Sequence, residues 1–206
     1  MDARDPRRFA PAAARNQAPI FAVLREHLPE RGAVLELGAG SGEHAAAFAP
    51  RLPGLRWRPS DPDRAARASI DAWAAEVGAA NIDPALELDA ADATWPIGQD
   101  EEALAAILAI NVVHISPWST AEGIFAGAGR HLGADGLLFL YGPYRIGGAH
   151  TAPSNAAFDA SLRARDARWG VRDLEALCAL GEAAGLQLRE RVAMPANNFS
   201  LIFRRG

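Results

Sequence analysis

Residues 33–44, AVLELGAGSGEH, lead from a strand-like apolar stretch through three glycines at every second position, Gly38, Gly40 and Gly42, into a helix-like segment. This order of strand, glycine turn and helix constrains the fold more than anything else in the chain. A strand that passes through a tight turn into a helix belongs to a sheet of mainly parallel strands whose faces are covered by helices. Glycine is required where the turn adopts dihedrals that side chains forbid, or where backbone approaches a ligand closely. The turn also gathers backbone N–H groups at a helix N-terminus, on the carboxyl edge of the sheet where open α/β folds bind ligands.

The rest of the chain continues that alternation. Strands are expected at 33–37, 55–59, 85–89, 105–110, 137–141, 186–192 and 199–203, and helices at 43–50, 64–77, 119–131 and 173–184. An earlier helix is marked by apolar residues at 20, 21, 23, 24 and 28. Ser119 with Glu122 fits a capping box, Asp63 and Asp173 stand where N-caps belong, and Gly185 stands where a C-cap does. The uninterrupted apolar runs 105–110 and 137–141 suit central strands covered on both faces. Only AMPANN separates the last two strands, too short a link for a helical crossover, so they pair antiparallel. The expected architecture is a single α/β domain over 1–206, Rossmann-like, with a seven-stranded mostly parallel sheet, an antiparallel last strand and helices on both faces. Residues 1–30 form an N-terminal cap segment and helix. Residues 142–172, a turn-rich loop followed by a short helix, form an inserted lid.

Composition removes several chemistries. All 21 basic residues are arginines, so neither a P-loop nor an imine-forming lysine is present. Cys178 is the one cysteine, which excludes an internal disulfide and a cysteine-based zinc cluster, and it reads as a core residue beside Leu174, Leu177 and Gly181. A formal net charge of −4 argues against a nucleic-acid footprint. No apolar run approaches the length that spans a bilayer and the start lacks an apolar leader, so a cytoplasmic protein is expected.

The chemistry-bearing positions follow the sheet's carboxyl edge. The dinucleotide pattern wants a third glycine at position 43, where Glu43 stands and would oppose a pyrophosphate. The observed arrangement, Glu36-x-Gly38-x-Gly40-x-Gly42, resembles the first motif of S-adenosyl-L-methionine (SAM) methyltransferases, whose cofactor presents an ammonium and a sulfonium. Glu36 then organises the turn or attracts the ammonium. Asp61 follows the second strand, placed to accept hydrogen bonds from ribose hydroxyls, with Asp63 the more natural helix cap. Asp89 or Asp92 meets the adenine amino group, Asp89 being preferred because it ends the third strand. The fourth strand ends in INVVHISPW, where Asn111 and His114 are the polar residues. His114 is the candidate general base. The Asp or Asn-Pro-Pro-aromatic motif of nucleobase methyltransferases is missing there.

Taken in order, RNQAPI, VLELGAGSGEHAAAFA, WRPSD, NVVHISPW, YGPY, PSNAAFDASLRARDARWGVRD and MPANNFSLIF resemble the DUF938 (UPF0585) proteins, which include methyltransferase-like protein 26 of animals. The resemblance runs from about residue 9 to the end. It implies a class I SAM-dependent methyltransferase that releases S-adenosyl-L-homocysteine (SAH). It draws Arg15 and Asn16 into the cofactor site, with the N-terminal segment folding over it and an arginine available to the methionine carboxylate. It also implies that the stretch from Ser154 to Asp173, with Asn155, Asp159, Arg163, Arg165, Asp166, Trp169 and Arg172, is more than a charged surface. Ala39 occupies a position that is often serine in relatives, which removes one hydroxyl contact from the turn.

The resulting expectation is methyl transfer from SAM to an oxygen, nitrogen or sulfur of a small-molecule acceptor, with no nucleic-acid or membrane partner and no assignment of oligomeric state. Trp118 and Tyr144 wall the acceptor, Asn155 lies in the acceptor site, and Arg163 or Arg172 holds an acidic group on it. Two rivals remain: a SAM-binding protein that transfers nothing, and an NAD-dependent oxidoreductase on the same sheet.

Overall fold

A computed structural model describes residues 5–97 and 103–206. Strands β1 (Gly32–Leu37), β2 (Leu55–Pro59), β3 (Leu104–Ile110), β4 (Leu132–Gly142), β8 (Leu186–Met194) and β9 (Asn198–Arg205) form one sheet in the order β2-β1-β3-β4-β9-β8. The β1–β2, β1–β3 and β3–β4 pairs are parallel. β9 pairs antiparallel with both β4 and β8, as the short link between the last two strands requires.

The helices α1 (Pro11–His27), α2 (Glu43–Phe48), α3 (Arg64–Val77), α4 (Trp118–His131), α5 (Pro153–Arg165) and α6 (Leu174–Ala183) complete the chain. Strand residues of one parity, including Leu35, Ile107, Leu138 and Phe203, pack against Ile124, Phe125 and Leu177 of α4 and α6. Those of the other parity, including Val34, Trp57, Leu108 and Phe139, pack against Ile20, Leu24 and Phe48 of α1 and α2. Each large side chain removed from water in this way contributes roughly 1.5–3 kcal/mol, which is why the central runs carry no polar residue on either face. Cys178 is half-buried against the first of these layers, as its sequence neighbours imply.

One expected strand is not formed. Residues 81–89 run beside β2 in the parallel sense but make only two isolated bridges, Trp57 with Ile82 and Ser60 with Leu86. Pro84 has no N–H to give to a ladder, and the Ala85 N–H donates instead to Asp71 Oδ1 at 2.8 Å. The sheet is therefore six-stranded with a broken edge, not seven-stranded. Asn81 secures that edge: its side-chain amide donates to the carbonyls of Ala49 (2.8 Å), Leu52 (3.2 Å) and Leu55 (2.8 Å).

Two cap expectations also change. α4 begins one residue early, at Trp118 after Pro117, so Ser119 lies inside the helix and forms no capping box. Asp173 does precede α6, but its side chain makes no cap bond and instead takes Arg145 at 2.6 Å. Asp63 caps α3 as expected, accepting the Ala65 N–H at 2.9 Å.

The inserted segment folds into a small unit of its own. β5 (Tyr144–Ile146), β6 (Ala149–His150) and β7 (Arg172–Asp173) form a three-stranded sheet in the order β6-β5-β7, with α5 between β6 and β7. At the other end of the chain, residues 5–10 lie across α3 and the glycine turn. The Arg8 N–H donates to Ser69 Oγ (2.8 Å), the Trp73 indole N–H donates to the Arg8 carbonyl (3.0 Å), and the Ala10 N–H donates to Glu43 Oε2 (2.6 Å). The first four residues of the expected cap lie outside the described ones. Among the described residues no helix is long and apolar enough to cross a membrane.

Asn81→Ala removes the side-chain amide from three backbone carbonyls, two of which, those of Ala49 and Leu52, keep a backbone N–H donor. It is expected to lower unfolding free energy by about 1–3 kcal/mol in urea titration, whereas an exposed alanine substitution such as Glu87→Ala should change it by less than about 0.5 kcal/mol.

Candidate functional site

The glycine turn takes the form that its sequence demands. Gly38, Gly40 and Gly42 all have positive φ, at 59°, 59° and 89°. At Gly42 a Cβ would lie 2.6 Å from the Ile70 Cα, so this glycine lets α2 and α3 meet. Gly40 is different: a Cβ there would meet nothing nearer than the Gly38 carbonyl at 3.9 Å, which leaves open space on that side of the turn.

Asp61 ties the turn to the end of β2. Its Oδ2 accepts the Gly40 N–H at 3.0 Å and its Oδ1 accepts the Asp63 N–H at 2.9 Å. The Ala39 N–H donates to the Ser60 carbonyl at 2.9 Å, a second tie between the same two strand ends. Beneath them Glu36 is 1% exposed, and its Oε2 accepts the Trp57 indole N–H at 2.7 Å. Burial pushes its carboxyl up to about 7, with the indole bond working in the opposite direction. The Glu36 side chain thus ties β1 to β2 through Trp57.

Of the N-terminal candidates, Arg15 is exposed on α1, whereas Asn16 is buried. Asn16 Oδ1 lies 2.8 Å from His44 Nε2, and its side chain also hydrogen-bonds Tyr141. Burial pushes the His44 imidazole down to about 4, so this chain from α2 to β4 contains a neutral histidine at physiological pH. Asp89 and Asp92 are both exposed on the segment that follows the broken edge. Asp89 Oδ1 accepts the Ala91 N–H at 2.9 Å and its carbonyl accepts the Asp92 N–H at 3.0 Å, closing a turn there.

At the end of β3, Asn111 adopts a left-handed conformation (φ 62°) and donates its N–H to the Tyr141 carbonyl at 2.8 Å. Asparagine tolerates this region better than most residues, and such conformations gather at functional edges. His114 lies three residues on and is 1% exposed. It packs edge-on against Tyr144 with ring centroids 5.1 Å apart, and its Nε2 abuts Gly142, where any side chain would collide with it. Neither imidazole nitrogen nor the Tyr144 hydroxyl has a hydrogen-bond partner among the described residues. Burial, and next the Arg172 guanidinium, push the His114 imidazole down to about 3. It is therefore a neutral hydrogen-bonding group near pH 7 and a weaker base than an ordinary histidine.

The lid candidates divide by occupation. Asn155 is buried and donates to Thr151 Oγ1 (3.0 Å) and the Asn197 carbonyl (2.9 Å), joining α5 to the β8–β9 turn. Tyr144 is fully buried behind His114. Arg172 Nε donates to the Val113 carbonyl at 2.9 Å, and its Nη2 donates to those of Ser116 (2.6 Å) and Arg168 (2.8 Å). Trp118, Arg163 and Arg172 meet around a cavity of about 230 Å³. A larger cavity, about 510 Å³, lies between the end of α3 and residues 79–84 and includes none of the candidate residues.

Sequence reasoning missed three participants. Glu43 was weighed only against a pyrophosphate, yet its Oε2 clasps both the Ala10 N–H and the Ser41 hydroxyl (2.8 Å). Tyr141 was read as core, and Arg145 was passed over although it follows the YGPY phrase directly. The last carried a usable signal, a lone arginine between two strand-like residues of a segment already taken as a lid.

The histidines set an acid-side stability dependence. His44 has an ordinary value near 6.5 and a folded value near 4, so its contribution is complete above about 6.5 and is lost as the pH falls toward 4. Glu36, raised from 4.5 to about 7, acts with the opposite sign: its contribution is complete below about 4.5 and is lost as the pH rises through 7. The comparison that isolates His44 is therefore between wild type and His44→Gln. Between pH 7 and pH 5 the wild type should lose about 2 kcal/mol more than the variant, measured by denaturant unfolding at both pH values.

A family model described as "Protein of unknown function (DUF938)" matches residues 7–205. Among solved structures, the chain is similar to the mitomycin 7-O-methyltransferase at a TM-score of 0.78 and 18% identity, covering 95% of this chain and 54% of that one. An O-methyltransferase family protein from Burkholderia thailandensis gives 0.78 at 17% identity, covering 95% and 57%. An O-methyltransferase from neocarzinostatin biosynthesis, in complex with S-adenosylmethionine and 2-hydroxy-5-methyl naphthoic acid, gives 0.67 at 15% identity, covering 94% and 57%. The chain thus spans little more than half the length of each of these structures, and the likeness establishes the fold.

Proposed function

We propose that this chain, which belongs to the DUF938 family, is a SAM-dependent methyltransferase acting on an oxygen, nitrogen or sulfur atom of a small-molecule acceptor. The observation that carries the reading is the turn itself: Gly40, open on one side, has its N–H held by Asp61 at the end of the neighbouring strand. The open backbone and adjoining carboxylate fit an adenosine-bearing ligand without a phosphate, and Glu43 beside the turn disfavours one with phosphates. The similar structures, all O-methyltransferases, support oxygen as the acceptor atom.

The residues present suit each part of the cofactor. Gly38, Ala39, Gly40 and Gly42 supply the backbone cradle. Asp61 spends each oxygen on one N–H and keeps acceptor capacity for ribose hydroxyls. Asp89 or Asp92 would take the adenine amino group; Asn111 and Arg15 would serve the amino-acid end, with Asn16 and Glu36, both buried and paired, supporting the cradle from behind. Bound there, SAM supplies a methyl group on a cationic sulfur that the acceptor atom displaces in line. The protein's part is chiefly to hold the acceptor in place and keep water out, and positioning of this kind can lower a barrier by roughly 7–11 kcal/mol. His114 is the polar group nearest to that task. Burial keeps its imidazole neutral, which leaves a ring nitrogen to accept a hydrogen bond from the acceptor and orient it.

Calorimetry with SAM and SAH tests the cofactor assignment. Micromolar binding is expected; Gly40→Arg should abolish it by filling the open side of the turn, and Asp61→Asn should weaken it by about tenfold through loss of charge-assisted bonds. No binding of either compound would end the reading, and binding of a nicotinamide dinucleotide instead would favour the oxidoreductase. Incubation with methyl-labelled SAM and a cell extract then tests transfer. A labelled product of protein size would overturn the small-molecule acceptor, and SAH binding with no labelled product would favour a SAM-binding protein that does not transfer.

A further inference from the structure

Four elements converge on the cavity of about 230 Å³. Trp118 enters from the first residue of α4, Arg145 from β5, Arg163 from the last turn of α5 and Arg172 from β7. Three guanidinium groups around one small space repel one another, and each needs a partner. Asp173 Oδ2 takes Arg145 Nη2 at 2.6 Å, and Asp159 Oδ2 takes Arg163 Nε at 3.0 Å. Among the described residues the hydrogen-bond partners of Arg172 are carbonyl oxygens, those of Val113, Ser116 and Arg168. The three arginines and two aspartates leave one positive charge in excess. Arg145 Nε is buried with no hydrogen-bond partner among the described residues, and so is Asp173 Oδ1.

The place of the cavity gives this excess a use. Arg172 grips the loop on both sides of His114, at Val113 and Ser116, and its charge reaches the His114 ring. Gly170, two residues before Arg172, donates its N–H to the His114 carbonyl at 2.9 Å. A group bound among the arginines is thereby coupled through one loop to the end of β3. Trp118 provides a flat apolar wall, with the Arg172 guanidinium 5.7 Å from its ring centroid.

We propose that this cavity is the anchor for a single carboxylate on the methyl acceptor, held by Arg145 and Arg163 with Arg172 behind them and an aromatic or apolar body against Trp118. The proposal rests on the methyltransferase reading for the word acceptor, while the anion site stands on its own residues. One negative charge matches the one unbalanced positive charge, and a planar carboxylate suits the guanidinium fork. Asp173 Oδ1 disfavours a more highly charged group and offers an acceptor to a hydroxyl or amino group beside the carboxylate. Anchoring by charge leaves the rest of the molecule free to reach the sheet edge, and it makes neutral analogues poor ligands.

Titration of the wild-type protein with benzoate and with benzamide, followed by calorimetry and by chemical shifts of the Trp118 indole, tests the proposal without knowledge of the true acceptor. Benzoate is expected to bind at least about tenfold more tightly than benzamide, with the indole signal shifting on saturation. Arg145→Gln and Arg163→Gln should each weaken benzoate by about tenfold or more and leave benzamide and SAH affinities unchanged. Equal binding of the two probes, no benzoate binding, or variants that hold benzoate like the wild type would overturn the site, and tighter binding of inorganic phosphate would overturn the carboxylate assignment. The probe pair needs no substitution, so a variant that fails to fold leaves it decisive. Benzoate discrimination without any SAM or SAH binding would remove the methyltransferase reading and keep the anion site.

Discussion

The carboxylate of Asp61 fixes the geometry on which the rest of the site depends. One oxygen holds the Gly40 N–H and the other the Asp63 N–H, so the turn after β1 and the start of α3 are set by one side chain at the end of β2. Parallel strands make this possible, because both carboxyl ends open on the same edge. The ties are short and charge-assisted, and they hold three glycines in left-handed conformations that would otherwise be one state among several. Gly42 then passes the constraint on by seating α2 against α3 at Ile70.

Behind the turn lies a file of buried polar groups unusual for a sheet face. Glu36 with Trp57 and His44 with Asn16 and Tyr141 are taken out of water and paired. Desolvation disfavours the charged form of both, raising the carboxyl of Glu36 and lowering the imidazole of His44, so the pairs cost less to bury than full ions would. Of the two groups, the one formed by His44, Asn16 and Tyr141 joins α2, α1 and β4, and so ties α1 to the elements beside the turn. The N-terminal arm adds a further tie, since Glu43 at the start of α2 accepts the Ala10 N–H.

Much of this was legible in the sequence because period and punctuation agree there. The runs that became β3 and the central part of β4 are apolar on both faces, and AMPANN could only be a tight link, so the antiparallel last strand followed. Asp61 was legible through its spacing from the glycines. Residues 85–89 misled because alternation alone was counted and Pro84 was not, and a strand needs ladder donors as well as pattern. Ser119 and Asp173 misled because each has a cap's identity but a competing place, one within α4 and the other on Arg145. Glu43 and Arg145 escaped because their partners are distant in sequence, 33 residues for Ala10 and 28 for Asp173. Side-chain pairing at that range leaves no period to read.

The position of β9 bears on how the sheet is assembled. The strand is last in the chain yet lies between β4 and β8, and β8 has no other ladder partner among the described strands. β8 cannot join the sheet by itself after β4 is in place; it must arrive with β9 as a hairpin, or wait for it. The β8–β9 pairing is local and quick to form, whereas the β4–β9 pairing closes a loop of more than fifty residues that carries the whole inserted unit. Closure of this half of the sheet is therefore a non-local step, and the chain it closes over includes the whole unit of β5, β6, α5 and β7.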